Sequence, residues 1–334
     1  MKYLFELSKE QKTLPKAEIL SYLNAEKISY KIAESNDDIL IIELDSEYNF
    51  IKELAGRLSF TFFIDRFLFS SKFSEEMEKK ASNNPIRDEG SIAIKYKNRS
   101  ETIDSYDLVK TLAEVYSKGR MVSLDKPDIE VRMLITDSKT YVGVKIAEIK
   151  RSQFEKRKVQ HRPFFSPISL HPKLARAIVN LSGVKKDETL LDPFCGTGGI
   201  LIEAGLVGAK IIGSDVEKKM IRGCEKNLEF YNIKNHKLFC SDIGEINKFI
   251  KTVDAVVTDL PYGRSTTTKG EKIECLYSRT FENLSKILKK DGKAVFGLSS
   301  RELIHLGEQY FTFLEEHKFR MHRNLARYFV VFQN

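Results

Sequence analysis

The chain has 334 residues, 31% of them charged, and Lys and Arg outnumber Asp and Glu 55 to 47 for a formal net charge of +8. That length exceeds what one hydrophobic core accommodates, so at least two are expected, and the basic balance favours an anionic partner. No apolar stretch is long enough to span a bilayer, Lys2, Glu6, Lys9 and Glu10 interrupt the segment where a signal peptide would lie, and cysteines 195, 224, 240 and 275 show no C-x-x-C pairing. A membrane protein, a secreted disulfide scaffold and a zinc module are therefore disfavoured, and a cytoplasmic protein without a metal site is expected.

Tyr3–Leu7 reads as a strand and Leu14 to Asn24 as an amphipathic helix with Thr13 as its cap; strands over Ser29 to Ala33 and Ile39 to Leu44 and a helix from Asn49 to Leu58 follow. This βαββα order resembles a small ferredoxin-like module, residues 1–59. Beyond Phe60–Asp65 lie a polar stretch from Ser70 to Gly90, a strand Ser91–Tyr96, a helix Tyr106 to Tyr116, and two strands flanking Thr136–Lys139. The segment Lys126-Pro127-Asp128-Ile129-Glu130-Val131-Arg132, followed by Tyr141-Val142-Gly143-Val144, resembles the end of a THUMP domain, an RNA-binding module of tRNA-modifying enzymes, here 60–149. A plain α/β packing domain is the alternative.

A basic linker, 150–172, comes next. Lys150, Arg151, Lys156, Arg157, Lys158 and Arg162 outnumber nearby Glu148 and Glu155, with Phe154, His161, Phe164 and Phe165 interleaved. Cations in such a run bind phosphates and rings stack on bases, although a solvated linker has the same composition. The linker passes into His171-Pro172-Lys173-Leu174-Ala175-Arg176-Ala177, a helix start at which His171 reads as a cap rather than a catalytic group.

From residue 173 to 334 strands and helices alternate. Thr189-Leu190-Leu191-Asp192-Pro193-Phe194 runs into Cys195-Gly196-Thr197-Gly198-Gly199 and then into an apolar helix. Glycines at 196, 198 and 199 admit a ligand close to the backbone. A phosphate loop is excluded, because no Gly-Lys-Ser/Thr follows, and Asp192 would repel a pyrophosphate while suiting the cationic amino-acid end of S-adenosylmethionine. The strand Ala209–Asp215 ends in an acid placed for a ribose diol, and Lys237–Asp242 ends in one placed for an adenine amino group. A fourth strand, Val253–Asp259, breaks into Asp259-Leu260-Pro261-Tyr262-Gly263. A carboxylate, a proline-stiffened carbonyl from Leu260 or Pro261 and an aromatic ring at a sheet edge are what hold a planar exocyclic amine, whose lone pair is delocalised until acceptors grip its hydrogens. Four acids then share one edge of a doubly wound sheet, where open α/β sheets bind ligands. A helix from Lys272 to Lys290, a strand Lys293–Leu298 and a terminal pair, Phe311 to Arg320 and Ala326 to Phe332, complete the pattern.

These segments resemble the Rossmann-like S-adenosylmethionine-dependent methyltransferases, and Asp259-Leu260-Pro261-Tyr262 resembles the motif of those that methylate amino nitrogens. The whole chain resembles the archaeal tRNA guanine-N2 methyltransferases acting at position 10, although Leu260 stands where that family more often has Pro. The resemblance implies an α/β catalytic domain with a mostly parallel seven-stranded sheet and an antiparallel terminal hairpin, preceded by ferredoxin-like and THUMP α+β domains. It implies S-adenosylmethionine as cofactor, held by Asp192, Pro193, Phe194, Gly196, Thr197, Gly198, Gly199, Asp215 and Asp242. It further implies catalysis by Asp259, Leu260, Pro261 and Tyr262, and tRNA as partner of a monomer or weak oligomer, contacted by Lys150, Arg151, Lys156, Arg157, Lys158 and Arg264. Methylation of tRNA guanine 6, of ribosomal guanine N2 or of adenine N6 stays open, as does a non-catalytic RNA-binding protein.

Overall fold

The computed structural model describes every residue except 46–47, 73–75, 167–168, 263–269 and 323–324, and no side chain at 48, 321, 322 or 325. It divides into two compact units, Met1–Lys12 with Ser29–Gly56 and Thr61–Lys150, and Thr13–Ile28 with Arg57–Phe60 and Arg151–Asn334.

In the first unit β1 (Lys2–Leu7), β2 (Tyr30–Ser35), β3 (Ile39–Leu44), β4 (Thr61–Ser71), β5 (Ile92–Asn98), β6 (Ile129–Ile135) and β7 (Thr140–Glu148) form one sheet in the order β2-β3-β1-β4-β7-β6-β5. All pairs are antiparallel except β5 with β6. The stretches 1–59 and 60–149 thus contribute strands to a single sheet. Helix α1 (Leu14–Ala25) belongs to the second unit, whereas α2 (Tyr48–Arg57), α3 (Met77–Asn83) and α4 (Tyr106–Tyr116) follow the strands of the first. Helix α3 lies inside the polar stretch to which the sequence pattern assigns no element; only Met77 and Ala81 of it are buried, too few to mark a period.

In the second unit β8 (Thr189–Asp192), β9 (Lys210–Asp215), β10 (His236–Cys240), β11 (Val253–Asp259), β12 (Leu288–Leu298), β13 (Thr312–His322) and β14 (Leu325–Gln333) give the order β10-β9-β8-β11-β12-β14-β13. The strands run parallel from β10 to β12, and β14 and β13 close the sheet antiparallel. Around it lie α5 (Ser152–Lys156), α6 (Pro172–Leu181), α7 (Gly199–Leu206), α8 (Lys218–Phe230), α9 (Ile246–Phe249), α10 (Ile273–Ser285) and α11 (Ile304–Glu308). This is the expected Rossmann-like architecture. The helix expected to reach Lys290 ends at Ser285, and β12 begins at Leu288 rather than Lys293, because Asp291, at a left-handed φ of 63°, and Gly292 loop a short insertion out of the strand.

The catalytic unit does not begin at 173. Helix α1 packs with α6 through Glu18, a fully buried carboxylate that accepts from the Ser59 N–H (3.0 Å), the Phe60 N–H (2.7 Å), the Ser59 hydroxyl (2.9 Å) and Asn180 Nδ2 (3.2 Å). Burial pushes its pKa up, and these donors oppose the shift. Thr13 sits at the N-cap of α1, but its hydroxyl meets His317 Nδ1 at 2.8 Å and makes no cap bond. Glu203 on α7 is also fully buried, between Arg157 (2.7 and 3.0 Å) and Arg176 (2.9 Å), which ties the basic linker to the catalytic core.

Candidate active site

Strands β8 and β11 are neighbours at the point where the strand order reverses, the position at which α/β sheets open a crevice. A cavity of about 490 Å³ lies there. Of the residues expected to bind a cofactor, Asp192, Phe194, Gly196, Thr197, Gly199, Asp215 and Asp242 line it, and all four of Asp259, Leu260, Pro261 and Tyr262 join them. Pro193 and Gly198 do not reach the cavity wall; both are buried behind it, with Gly198 at a left-handed φ of 80° as the N-cap of α7. Gly196, at φ 50°, faces open space, with no atom within 4 Å of where a Cβ would stand.

The acids are held by the backbone around them. Asp215 accepts from the N–H of Gly196 (3.0 Å) and of Glu217 (2.9 Å), so the strand-end carboxylate shapes the glycine loop. Asp192, 2% exposed, accepts from the Thr258 hydroxyl (2.7 Å) and the Phe194 N–H (3.2 Å). Burial pushes Asp192 to about 7, against those two hydrogen bonds and with help from the charges of Asp215 and Asp259. Burial raises Asp215 as well. Several carboxylates crowded into a desolvated pocket leave it short of positive charge, which suits a ligand carrying a sulfonium and an ammonium group. Asp242, by contrast, is half-exposed; it accepts from the Gly244 N–H (2.8 Å) and is paired with Arg279, which lines the same cavity, so its carboxylate is already partly neutralised there.

Asp259 ends β11 beside Arg327, a residue that no motif in the sequence marks. The guanidinium of Arg327, on β14 and 2% exposed, stands with Nε 3.2 Å from Asp259 Oδ1 and its carbon 3.6 Å from the centre of the Tyr262 ring. One buried cation therefore faces both the carboxylate and the aromatic ring. Neither Arg327 Nε nor Asp259 Oδ1 makes a hydrogen bond of good geometry. Burial pushes Asp259 to about 6, and Arg327 opposes the rise. Gly297 on the adjacent strand leaves the room this carboxylate occupies: a Cβ there would lie 2.4 Å from Asp259 Oδ1. The Pro261 carbonyl accepts from the Tyr277 hydroxyl at 3.0 Å, which stiffens the turn and leaves Leu260 as the better source of a second acceptor. An Arg directly before the apolar β14 run Tyr328-Phe329-Val330-Val331-Phe332 was the one available hint of Arg327.

The expected RNA contacts are only partly at the surface. Arg157 is buried against Glu203, which commits it to the fold; Lys158 is half-exposed and paired with Glu155, Arg151 is half-buried, and Lys150 and Lys156 are exposed. Arg264 lies outside the described residues. His171 is the N-cap of α6, with Nδ1 accepting from the Lys173 N–H (3.2 Å) and Nε2 3.1 Å from Glu155.

Residues 159–328 match the family model described as an RMKL-like methyltransferase domain, and 9–226 match one described as a DNA methylase. The tRNA (guanine(10)-N2)-dimethyltransferase of Methanothermobacter thermautotrophicus is 34% identical over 333 residues, 98% of both chains. Among solved structures, TrmN from Thermus thermophilus superposes with a TM-score of 0.57 at 18% identity, covering 100% of both chains. SMU.472, solved in complex with SAH, superposes with a TM-score of 0.53 at 13% identity over 99% of this chain and 97% of its own. With the glycine loop, the strand-end acids and Asp-Leu-Pro-Tyr lining one cavity, and with a relative aligned from end to end, the chain belongs to the methyltransferase family that includes the archaeal tRNA (guanine(10)-N2)-dimethyltransferases.

Proposed function

We propose that this protein transfers methyl groups from S-adenosylmethionine to the exocyclic N2 of guanine 10 in tRNA, giving N2-methylguanosine and N2,N2-dimethylguanosine, in the cytoplasm. The observation that carries this reading is the placement of Asp259, Leu260, Pro261 and Tyr262 on one cavity with Asp192, Gly196, Thr197 and Asp215. When bound, the cofactor supplies an electrophilic sulfonium methyl. Asp215 holds the ribose hydroxyls, the glycine loop and Phe194 border the nucleoside, and Asp192 balances the cationic amino-acid end.

The rest is alignment and exclusion of water. Guanine leaves its stack and lies on the face of Tyr262 opposite Arg327. The Asp259 carboxylate and the Leu260 carbonyl accept the two N2 hydrogens, which turns the nitrogen lone pair toward the methyl. As the N–C bond forms and the sulfur–methyl bond breaks, which would leave the cofactor as its neutral thioether, positive charge grows on N2 against an ionised carboxylate, and the proton that N2 loses passes to Asp259. One hydrogen remains on N2 after the first transfer, and Asp259 can hold it for a second. In the first unit, exposed Tyr96 and Lys97 beside half-buried Phe62 and Phe63 support an RNA-holding role of the THUMP type. Among the described residues no cluster of three or more His, Cys, Asp or Glu is placed to hold a metal ion, and no helix is long and apolar enough to cross a membrane. Incubation with unmodified tRNA and labelled cofactor, followed by mass analysis of nucleosides, should yield both guanosine products; a transcript with adenine at position 10 should stay unlabelled, and methyladenosine as product would overturn the reading.

A further inference from the structure

Helix α8 carries Lys218, Lys219, Arg222 and Lys226, all exposed, at the spacing that puts them along one face. Among the described residues none of the four is paired with a carboxylate. Local physics disfavours this stripe. Lys218 and Lys219 occupy the first two positions of the helix, where the positive end of the macrodipole repels cations, and Glu217 at the N-cap makes no side-chain cap bond. Lys218 with Arg222, and Arg222 with Lys226, are like charges four residues apart.

The stripe borders a groove of about 270 Å³ whose remaining walls are Phe164 and Gly223. Only glycine fits at 223: a Cβ there would lie 2.0 Å from the Phe164 ring, which is seated directly on the helix backbone. Fully buried Asn227 fixes that ring in place. It accepts from the Phe164 N–H (2.9 Å) and donates to the carbonyls of Phe164 (3.1 Å) and of Thr197 in the glycine loop (2.9 Å). Glu217 and Met220, on another side of the same helix, line the catalytic cavity. The groove is thus a preformed surface, with cations along one wall and an aromatic ring as its floor, clamped to the cofactor loop.

We infer that this face of α8 is where the catalytic unit grips the sugar–phosphate backbone of tRNA beside the extruded guanine, phosphates on the cations and a ribose against Phe164. The inference rests on the tRNA reading above. It also adds cations to those the linker leaves exposed, since Arg157 is buried against Glu203. Neutralised phosphates release counterions, so binding through the stripe depends on salt.

The test uses the full-length protein and an unmodified tRNA transcript, with affinity measured by fluorescence anisotropy across a potassium chloride series. Replacing Lys218, Lys219, Arg222 and Lys226 together with Ala should weaken binding by about tenfold or more at low salt and reduce the slope of log affinity against log salt by roughly 2 to 3. S-adenosylmethionine affinity, melting temperature and the rate at saturating tRNA should match the parent. Exchanging the lysines for Arg and Arg222 for Lys should preserve binding. A fourfold Ala variant with parental affinity and slope overturns the assignment of α8, as does a charge-preserving set that is equally defective. If the parent itself neither binds nor methylates tRNA, it is the proposed function that fails.

Discussion

Replacing Arg327 with Met should move the pH dependence of methyl transfer while leaving cofactor binding in place. Asp259 is half-buried, its side chain 18% exposed, and desolvation has taken it to about 6 even with Arg327 opposing. Three other groups face it: Asp192 from β8, Tyr277 from α10 and the ring of Tyr262. Among the described residues Arg327 is the charged group that favours the carboxylate, and losing such a partner raises an acid's pKa by roughly 1 to 3 units. If the reaction needs Asp259 ionised, the parent is about nine-tenths competent at pH 7, and the variant about one half to one hundredth. The expected loss at pH 7 is therefore about 2-fold to 100-fold, recovered as the pH approaches 9. Initial rates on tRNA at saturating cofactor, from pH 5.5 to 9.5 at constant ionic strength, locate the acid limb, with calorimetric titration of S-adenosylmethionine as control. Because Asp192 titrates nearby, the limb is a property of the pair. Arg327→Lys restores the charge and should return the limb toward the parent's while leaving Tyr262 less well supported. An acid limb at the same pH in the parent and in Arg327→Met would refute the electrostatic role of this residue.

Asp259→Ala should reduce transfer by more than tenfold, a barrier increase above about 1.4 kcal/mol, with cofactor affinity within several-fold of the parent; a smaller loss removes the carboxylate from the chemistry. Asp215→Ala should weaken cofactor binding by roughly 1 to 3 kcal/mol, since both the ribose and the Gly196 N–H lose their acceptor; unchanged affinity in a folded variant refutes the ribose assignment. Asp192→Asn tests a cost of function. The folded state holds the Asp192 proton up to about 7, whereas the unfolded chain releases it near 4. Its contribution to stability is therefore lost as pH rises through that window, and the Asn variant should melt higher than the parent at pH 8 while binding cofactor more weakly. Equal melting at pH 8 would show that Asp192 titrates normally. A fragment starting near His161 lacks α1 and the Ser59–Phe60 segment that surround Glu18, so it should melt well below the full chain and bind cofactor poorly; a fragment beginning at Thr13 without Ser29–Gly56 and Thr61–Lys150, rejoined by short linkers, should recover both. Equal stability of the 161 fragment would show that α1 is dispensable.

Local patterns in the sequence determined the catalytic architecture. Glycines at a turn, acids at strand ends and apolar runs of strand length are short-range signals, and β8 through β11 and α7 follow from them because a parallel sheet with helical crossovers has few ways to bury such runs. The convergence of Asp192, Gly196, Asp215 and Asp259 on one cavity was legible for the same reason: strand ends in this topology share an edge. Interactions between residues far apart in the chain had no such signal. Arg327 reaches Asp259 only because β14 inserts antiparallel next to β12, and Asn180 reaches Glu18 only because α1 leaves the first unit's strands to pack on α6. Charge runs were the most ambiguous feature. Arg157 in the linker reads like a phosphate contact, yet a fully buried Glu203 some forty residues further on claims it, while the cations of α8 remain in solvent. Composition determines how much charge the chain carries; which charges are neutralised inside and which are left for a partner depends on desolvation, and only the tertiary structure decides which side chains leave water.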